Sequence, residues 1–138
     1  MSEKALQAQI LLIAGLSGAV AVLLGAFSAH GLESYLISTG ISAETVTKRL
    51  TQFETGVRYH LFHSVVMLTL AAIPVPCIQA KRNAFRLIAL GCFFFSGSLY
   101  ALVLLERTFM GAITPIGGVC WIMGWIWIAR MGRSPAKS

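Results

Sequence analysis

The sequence predicts an all-α fold, an integral membrane four-helix antiparallel bundle with a short amphipathic outer segment between its first two helices. Two observations indicate this fold. The chain is 57% hydrophobic and only 12% charged, and an ordinary soluble domain carries about twice that charged fraction. Its residues also fall into four apolar stretches, and a hydrocarbon core about 30 Å thick needs roughly 20 helical residues. We expect a single transmembrane domain over residues 1–138, with helices at about 9–31, 52–73, 83–105 and 113–131.

The first predicted helix lies in a stretch without charged residues from Leu6 to Leu32. This stretch is longer than the apolar core of a signal peptide, so we expect the helix to be retained. Small side chains recur along it every three or four residues, which places them on one face and lets another helix approach closely. We expect this face to contact a neighbouring helix. Its residues are Ala14, Gly18, Ala21, Gly25 and Ser28.

A polar connection leads into the second predicted helix. Ser42 is typical of a helix N-cap, and Val46, Leu50 and Phe53 follow it at helical spacing. This pattern predicts a short amphipathic helix at the outer membrane surface that runs into the second helix. The second helix is expected to end before Pro74-Val75-Pro76, because two prolines in three residues cannot continue a helix.

The remaining two predicted helices follow short connections. Small residues occupy the middle of the third helix, and the fourth opens at Thr114-Pro115, where a proline in the first turn loses no hydrogen bond. Trp125 and Trp127 lie towards the end of the fourth helix, where an aromatic belt is expected. Because the loops are short, sequential helices are expected to be antiparallel neighbours.

The net charge of +6 is better explained by membrane orientation than by nucleic-acid binding, because the basic residues do not cluster on one face. With four crossings, the positive-inside rule places both termini on the cytoplasmic side of the cell inner membrane. We expect anionic lipid to bind at that face. The basic residues assigned to the cytoplasmic side are Lys4, Lys81, Arg82, Arg86, Arg130, Arg133 and Lys137. Lys48, Arg49 and Arg107 are assigned to the outer side.

Polar residues interrupt the second predicted helix. Glu54 precedes Arg58 by four residues, the favourable order for an ion pair near the interface, and a functional acid or anion contact is the alternative. His60 and His63 lie on the seam expected to face other helices, and buried imidazoles need partners. We expect these side chains to form a polar cluster in the outer half of the bundle. Its members are His30, Glu54, Arg58, His60, His63, Ser96, Tyr100 and Thr114, with Glu33 as a further partner.

Several interpretations of this cluster stay open. Neutral histidines that hydrogen-bond across helices would fix the packing and have no further role. His60 and His63, one turn apart, are weak candidates for metal ligands, with His30 or Glu54 completing the site. Buried histidines with nearby Glu and Tyr are also the usual chemistry of a proton or ion path, and a haem or quinone contact is a further possibility.

The three cysteines, Cys77, Cys92 and Cys120, form no CxxC pattern and no disulfide framework. The sequence also contains no nucleophile paired with a base and no phosphate-binding loop, so it offers no positive sign of catalysis. We therefore predict no cofactor, although lipid is expected to be bound.

Four sequence blocks carry a resemblance to a known family. The blocks, in chain order, are residues 25–32 (GAFSAHGL), 53–64 (FETGVRYHLFHS), 95–100 (FSGSLY) and 113–118 (ITPIGG). Together they resemble the family of domain of unknown function 423, small bacterial inner-membrane proteins related to the animal transmembrane protein 256. The resemblance implies a four-helix membrane protein, and it brings no established activity, cofactor or catalytic residue. Each block contains part of the polar cluster.

We expect this chain to act as a non-enzymatic structural or accessory subunit, either as a homo-oligomer or within a larger membrane assembly. A small bundle with close-packing faces and little mass outside the membrane is suited to that role. One alternative is a transporter of protons, ions or small solutes that uses the polar cluster. A second alternative is a metal-dependent membrane enzyme.

Overall fold

The computed structural model describes residues 2–74 and 77–132, and all regular structure in these ranges is helical. The predicted all-α class is therefore confirmed. The predicted positions Val75, Pro76, Arg133 and Lys137 lie outside the described residues. Six α-helices follow one another in the described ranges: α1 (Glu3–His30), α2 (Leu32–Ser38), α3 (Ala43–Ala72), α4 (Ile78–Gly91), α5 (Gly97–Leu104) and α6 (Thr114–Met131). A π-helical turn, Cys92–Ser96, joins α4 to α5, and a 3₁₀ turn, Thr108–Ala112, precedes α6.

In the described part of the chain, three helical segments have the length and apolar composition of a membrane span: Glu3–His30, Ile78–Leu104 and Thr108–Met131. Helix α3 is also long, with 30 residues. Its composition is less apolar because Arg58, His60 and His63 fall in its middle. The contacts of these polar residues therefore decide how α3 relates to the bilayer.

Helix α1 begins at Glu3, six residues before the predicted start, because Ser2 caps it by accepting a hydrogen bond from the Ala5 amide at 3.3 Å. The predicted small-residue face of α1 lies against α3. Ala14 and Ala21 are buried, and a Cβ added at Gly25 would lie 3.2 Å from Val57. Position 18 of α1 meets position 64 of α3, whereas position 25 meets position 57, so the two helices run in opposite directions.

Helix α3 starts earlier than the prediction of about residue 52, because Ser42 caps it and accepts a hydrogen bond from the Thr45 amide at 3.3 Å. The amphipathic segment and the N-cap are therefore as predicted, and α2 is an additional short helix. The helix ends at Ala72, before Pro74, as predicted. The early start means that several helical turns of α3 precede Glu54 and Arg58. A buried apolar group closes this end of the molecule: Leu32, Leu36, Val46, Phe53, Leu102 and Val103.

Helices α4 and α6 pack closely because glycines remove side chains between them. A Cβ at Gly91 would overlap the Trp121 indole, and a Cβ at Gly117 would overlap the Phe95 backbone. The third predicted helix begins earlier than its predicted start at about residue 83, so Lys81, expected before it, lies within a helix. Helix α4 begins at Ile78, so Lys81 lies in its first turn and is only 2% exposed.

Candidate functional site

The predicted polar cluster divides into separate groups, because His60 and His63 contact different helices. His60 lies between α1 and α5, whereas His63 faces α6. Residues three apart on a helix differ by about 60° in direction, which is enough to place them against different neighbours.

His60 links three helices through hydrogen bonds to both of its ring nitrogens. Its Nε2 lies 3.0 Å from the Ser17 hydroxyl of α1, and its Nδ1 lies 3.2 Å from the Tyr100 hydroxyl of α5. Ser17 in turn lies 2.6 Å from the Ser64 hydroxyl, which donates to the His60 carbonyl at 2.9 Å. These four side chains, Ser17, His60, Ser64 and Tyr100, are called the His60 network below.

The donor and acceptor of every hydrogen bond in the His60 network can be assigned from the bond that Ser64 donates to the His60 carbonyl. A carbonyl oxygen only accepts, so Ser64 uses its single hydrogen on the His60 carbonyl. Ser17 must then donate to Ser64 and accept from His60 Nε2–H. The remaining nitrogen, Nδ1, accepts from the Tyr100 hydroxyl. The neutral His60 ring therefore carries its hydrogen on Nε2.

His63 stacks on an aromatic side chain of α6. Its ring centroid lies 3.8 Å from that of Trp121, with an interplanar angle of 5°. His63 Nδ1 donates to the Tyr59 carbonyl at 2.8 Å, and Trp121 Nε1 donates to the Ile88 carbonyl at 3.1 Å. His63 is therefore the opposite tautomer from His60, with its hydrogen on Nδ1. The stack joins α3, α4 and α6.

Glu54 and Arg58 lie on the face of α3 that the rest of the chain leaves exposed. They line a groove of about 250 Å³ between α1 and α3, called the α1–α3 groove below. Its other lining residues are Gly25, Ser28, Ala29 and Val57. Arg58 also lines a second cavity of about 400 Å³ beside α6, together with Tyr59, Phe62, His63, Val66 and Trp125.

Three predicted members make no hydrogen bond with either histidine of α3. His30 is exposed at the end of α1, about 20 Å along the helix axis from Ser17 by the rise of 1.5 Å per residue. Thr114 hydrogen-bonds Ser98 at 2.8 Å between α5 and α6. Ser96 is fully buried in the π-helical turn, and its hydroxyl has no partner among the described residues. The structure thus brings His60 to Tyr100, and it places Glu54 and Arg58 on one groove without an ion pair between them.

The weak metal candidates His30, His60 and His63 do not converge. Within residues 2–74 and 77–132, no three His, Cys, Asp or Glu side chains come together in a way that could hold a metal ion. Both ring nitrogens of His60 already have hydroxyl partners. The arrangement is chemically suited to joining helices through hydrogen bonds and ring stacking.

Sequence reasoning missed the residues that complete these contacts, Ser17, Ser64 and Trp121. Ser17 immediately precedes Gly18 of the small-residue face, so it lies beside the close approach of α1 and α3. Trp121 lies between Gly117 and Gly124 on α6, a large side chain flanked by small ones at helical spacing. Both features were available as signals of interhelical contact.

Comparison with known proteins identifies a family of unknown function and relatives that are named membrane proteins. Residues 24–118, more than half of the chain, match the family model described as protein of unknown function (DUF423). The UPF0382 membrane protein YwdK of Bacillus subtilis is 37% identical over 120 residues, which are 86% of this chain and 90% of that protein. A UPF0382 membrane protein of Haemophilus influenzae is 36% identical over 128 residues, 93% of this chain and 95% of that protein.

A further relative carries a more specific name. The UPF0382 inner membrane protein YgdD of Escherichia coli is 32% identical over 121 residues, which are 84% of this chain and 82% of that protein. No solved structure matches the chain.

Proposed function

Because the chain belongs to the DUF423 family and its relatives are named membrane proteins, we propose that it crosses the inner membrane four times and functions by associating with other membrane subunits. In this proposal it is a non-enzymatic structural or accessory subunit, as a homo-oligomer or within a larger membrane assembly. The crossings are α1, α3, the continuous helix from α4 to α5, and α6.

A crossing by α3 is supported by the contacts of its polar residues. Helix α3 packs antiparallel along α1, which is apolar and long enough to span the bilayer. Within this packing His60 and Ser64 bond to Ser17, and His63 stacks on Trp121. Polar groups inside a membrane are tolerated when they face the bundle and have partners. The histidines that make α3 less apolar are therefore compatible with a span.

The proposed orientation is supported by the basic residues at one end of the molecule. Helix α1 begins, α3 ends, α4 begins and α6 ends at one end of the molecule, where Leu6, Leu70 and Met131 share a buried group. The described basic residues of these terminal turns are Lys4, Lys81, Arg82 and Arg130. By the positive-inside rule this end faces the cytoplasm, together with both termini. Lys4 and Arg130, which are exposed, would attract anionic lipid at that face.

Association is supported above all by the large apolar side chains on the exposed surface. Large apolar side chains are exposed on every long helix, among them Leu23 at 69%, Phe62 at 65% and Phe93 at 71%. The His60 network, by contrast, is closed within the chain, and its donors and acceptors are used by one another. Surface that can contact lipid or another subunit is thus the main feature that this chain presents.

The test is purification under conditions that keep membrane assemblies intact. The tagged protein should be extracted in a mild detergent and, in parallel, with its surrounding bilayer in polymer-bounded discs, and then analysed by native mass spectrometry. We expect a homo-oligomer or one partner in fixed stoichiometry in both extracts. A monomer without an enriched partner in both would overturn the proposed role.

A proton relay is the second candidate function, and the His60 network is the observation that favours it. Hydroxyl and imidazole groups at 2.6 to 3.2 Å form a continuous chain of donors and acceptors beside α1. This candidate predicts pH-dependent proton flux in liposomes that His60→Ala abolishes. The chain of bonds closes on the His60 carbonyl, which supports the structural role more strongly.

A further inference from the structure

The α1–α3 groove combines opposite charges with an unpartnered hydroxyl. Glu54 and Arg58 lie one turn apart on α3 and both line the groove. Ser28 lines it from α1, and its Oγ is buried without a hydrogen-bond partner among the described residues. Gly25 and Ala29 are the other lining residues of α1. The groove therefore offers one acidic group, one basic group and one hydroxyl within a small volume.

The level of the groove in the bilayer follows from α1. The uncharged stretch of α1 is centred near residue 19, and Gly25 lies against Val57, next to Arg58. Arg58 is therefore about 8 Å from the bilayer centre, inside a hydrocarbon half-thickness of about 15 Å. Its long side chain can extend to the headgroups. Glu54 lies about 6 Å farther out, at the interface itself.

We propose that the α1–α3 groove binds the headgroup of a phospholipid with a primary ammonium, such as phosphatidylethanolamine, with its phosphate on Arg58 and its ammonium on Glu54. This inference rests on the proposed bilayer crossing by α1 and α3. In such a lipid the phosphate lies nearer the hydrocarbon and the ammonium lies farther out, which is the order of the two side chains along α3.

An apolar path for the acyl chains starts at the same arginine. Arg58 also lines the cavity beside α6, where Phe62 and Val66 continue the same face of α3 towards the bilayer centre. Trp125 of α6 forms the opposite wall. A lipid held by its phosphate at Arg58 would therefore lay one chain along Phe62 and Val66. A free phosphate or a soluble phosphate ester would leave this cavity unused.

The charge pair also argues for the ammonium lipid over phosphatidylglycerol. Phosphatidylglycerol provides the same phosphate for Arg58, but it places neutral hydroxyl groups where Glu54 lies. An ammonium at that position gains attraction to the carboxylate, as in an exposed ion pair. We therefore expect about a fivefold preference between the two lipids, which corresponds to about 1 kcal/mol.

The experiment is native mass spectrometry of the full chain titrated with phosphatidylethanolamine or phosphatidylglycerol in detergent. We expect the wild type to bind phosphatidylethanolamine about fivefold more tightly. Arg58→Gln should weaken binding of both lipids, and Glu54→Gln should remove the preference without weakening phosphatidylglycerol binding. Glu44→Gln and Lys48→Gln are matched controls, because they change charges of α3 outside the groove and should bind as the wild type.

An exchange of the two charges covers the case in which single variants fold poorly. The double variant Glu54→Arg with Arg58→Glu keeps both charges on α3 but reverses their order in depth, and it should lose the preference. Equal binding of both lipids by the wild type, or a preference that survives in Glu54→Gln and in the exchanged variant, would overturn the proposal. Loss of the preference with an unchanged oligomer or partner in the same spectra would leave the proposed association intact, so the two failures are distinguishable.

Discussion

The imidazole of His63 lies parallel to the indole of Trp121, with ring centroids 3.8 Å apart and an angle of 5° between the planes. The two residues belong to α3 and α6, and Tyr59 stacks on the same indole at 5.6 Å. The indole also lies directly over Gly91 of α4. His63 of α3 is thus held in place by packing that involves both α4 and α6.

The contact at Gly91 predicts a specific steric sensitivity. Gly91→Ala would drive a methyl group into the Trp121 ring and separate that ring from His63. We expect a loss of about 1 to 3 kcal/mol of stability, the usual cost of overpacking. Thermal unfolding in detergent measures it. Gly97→Ala is the control, because a Cβ there meets nothing within 4 Å. Equal unfolding temperatures for the two variants would show that the Gly91 contact is not tight.

The second prediction uses two adjacent glycines of α6. A Cβ at Gly117 would overlap the backbone of Phe95 in the π-helical turn, and backbone cannot move aside as a side chain can. A Cβ at Gly118 meets nothing within 4 Å. We expect Gly117→Ala to lower the unfolding temperature sharply and Gly118→Ala to leave it unchanged or raise it, since alanine favours helix by about 1 kcal/mol. The reverse order would contradict the packing of α6 on this turn.

The third prediction concerns the hydroxyl that joins α1 to α3. Ser17→Ala removes the hydrogen bonds to His60 and to Ser64 and should cost about 0.6 to 2 kcal/mol, the range for interhelical hydrogen bonds in membranes. Thr69→Val is the matched control, because the Thr69 hydroxyl bonds only to the Val65 carbonyl of its own helix. Unfolding free energies in mixed micelles compare the two. A larger loss for Thr69→Val would contradict a linking role for Ser17.

The fourth prediction is that the two histidines of α3 are opposite neutral tautomers. The His60 network places the hydrogen of His60 on Nε2, whereas the Tyr59 carbonyl places that of His63 on Nδ1. Nitrogen-15 chemical shifts of selectively labelled histidine at neutral pH distinguish the two forms. Ser64→Ala should change the His60 signal and leave that of His63 in place. Two histidines in the same tautomer would contradict the bond directions described above.

Much of the fold was predictable because local chemistry determines it. The Ser42 cap, the end of α3 before Pro74 and the small-residue face of α1 each depend on a few neighbouring residues, and the structure confirms all three. The predicted starts of α1 and α3 were too late. An apolar stretch indicates the membrane span, but it does not include the polar turns that extend the helix beyond the span. The predicted start of the helix that contains Lys81 was too late for the same reason.

The contacts of the polar residues were less predictable. A helical pattern shows that His60 and His63 face inwards, but it does not show which neighbour each one meets. That choice depends on long-range packing, in which Gly91 makes room for Trp121 and Gly56 makes room for Tyr100. The predicted cluster is therefore divided into several local contacts. His30 lies at the exposed end of α1, and Thr114 bonds to Ser98.

The central claim is that α3 crosses the bilayer although Arg58, His60 and His63 interrupt it. Cys77 follows α3 and Ser38 precedes it, and both are exposed. The measurement is labelling with a membrane-impermeant maleimide in a background with Cys92→Ala and Cys120→Ala. Cys77 should react only in inverted membrane vesicles, and Ser38→Cys combined with Cys77→Ala should react only in intact spheroplasts. Labelling of both positions from the same side would contradict the crossing and the four-span account.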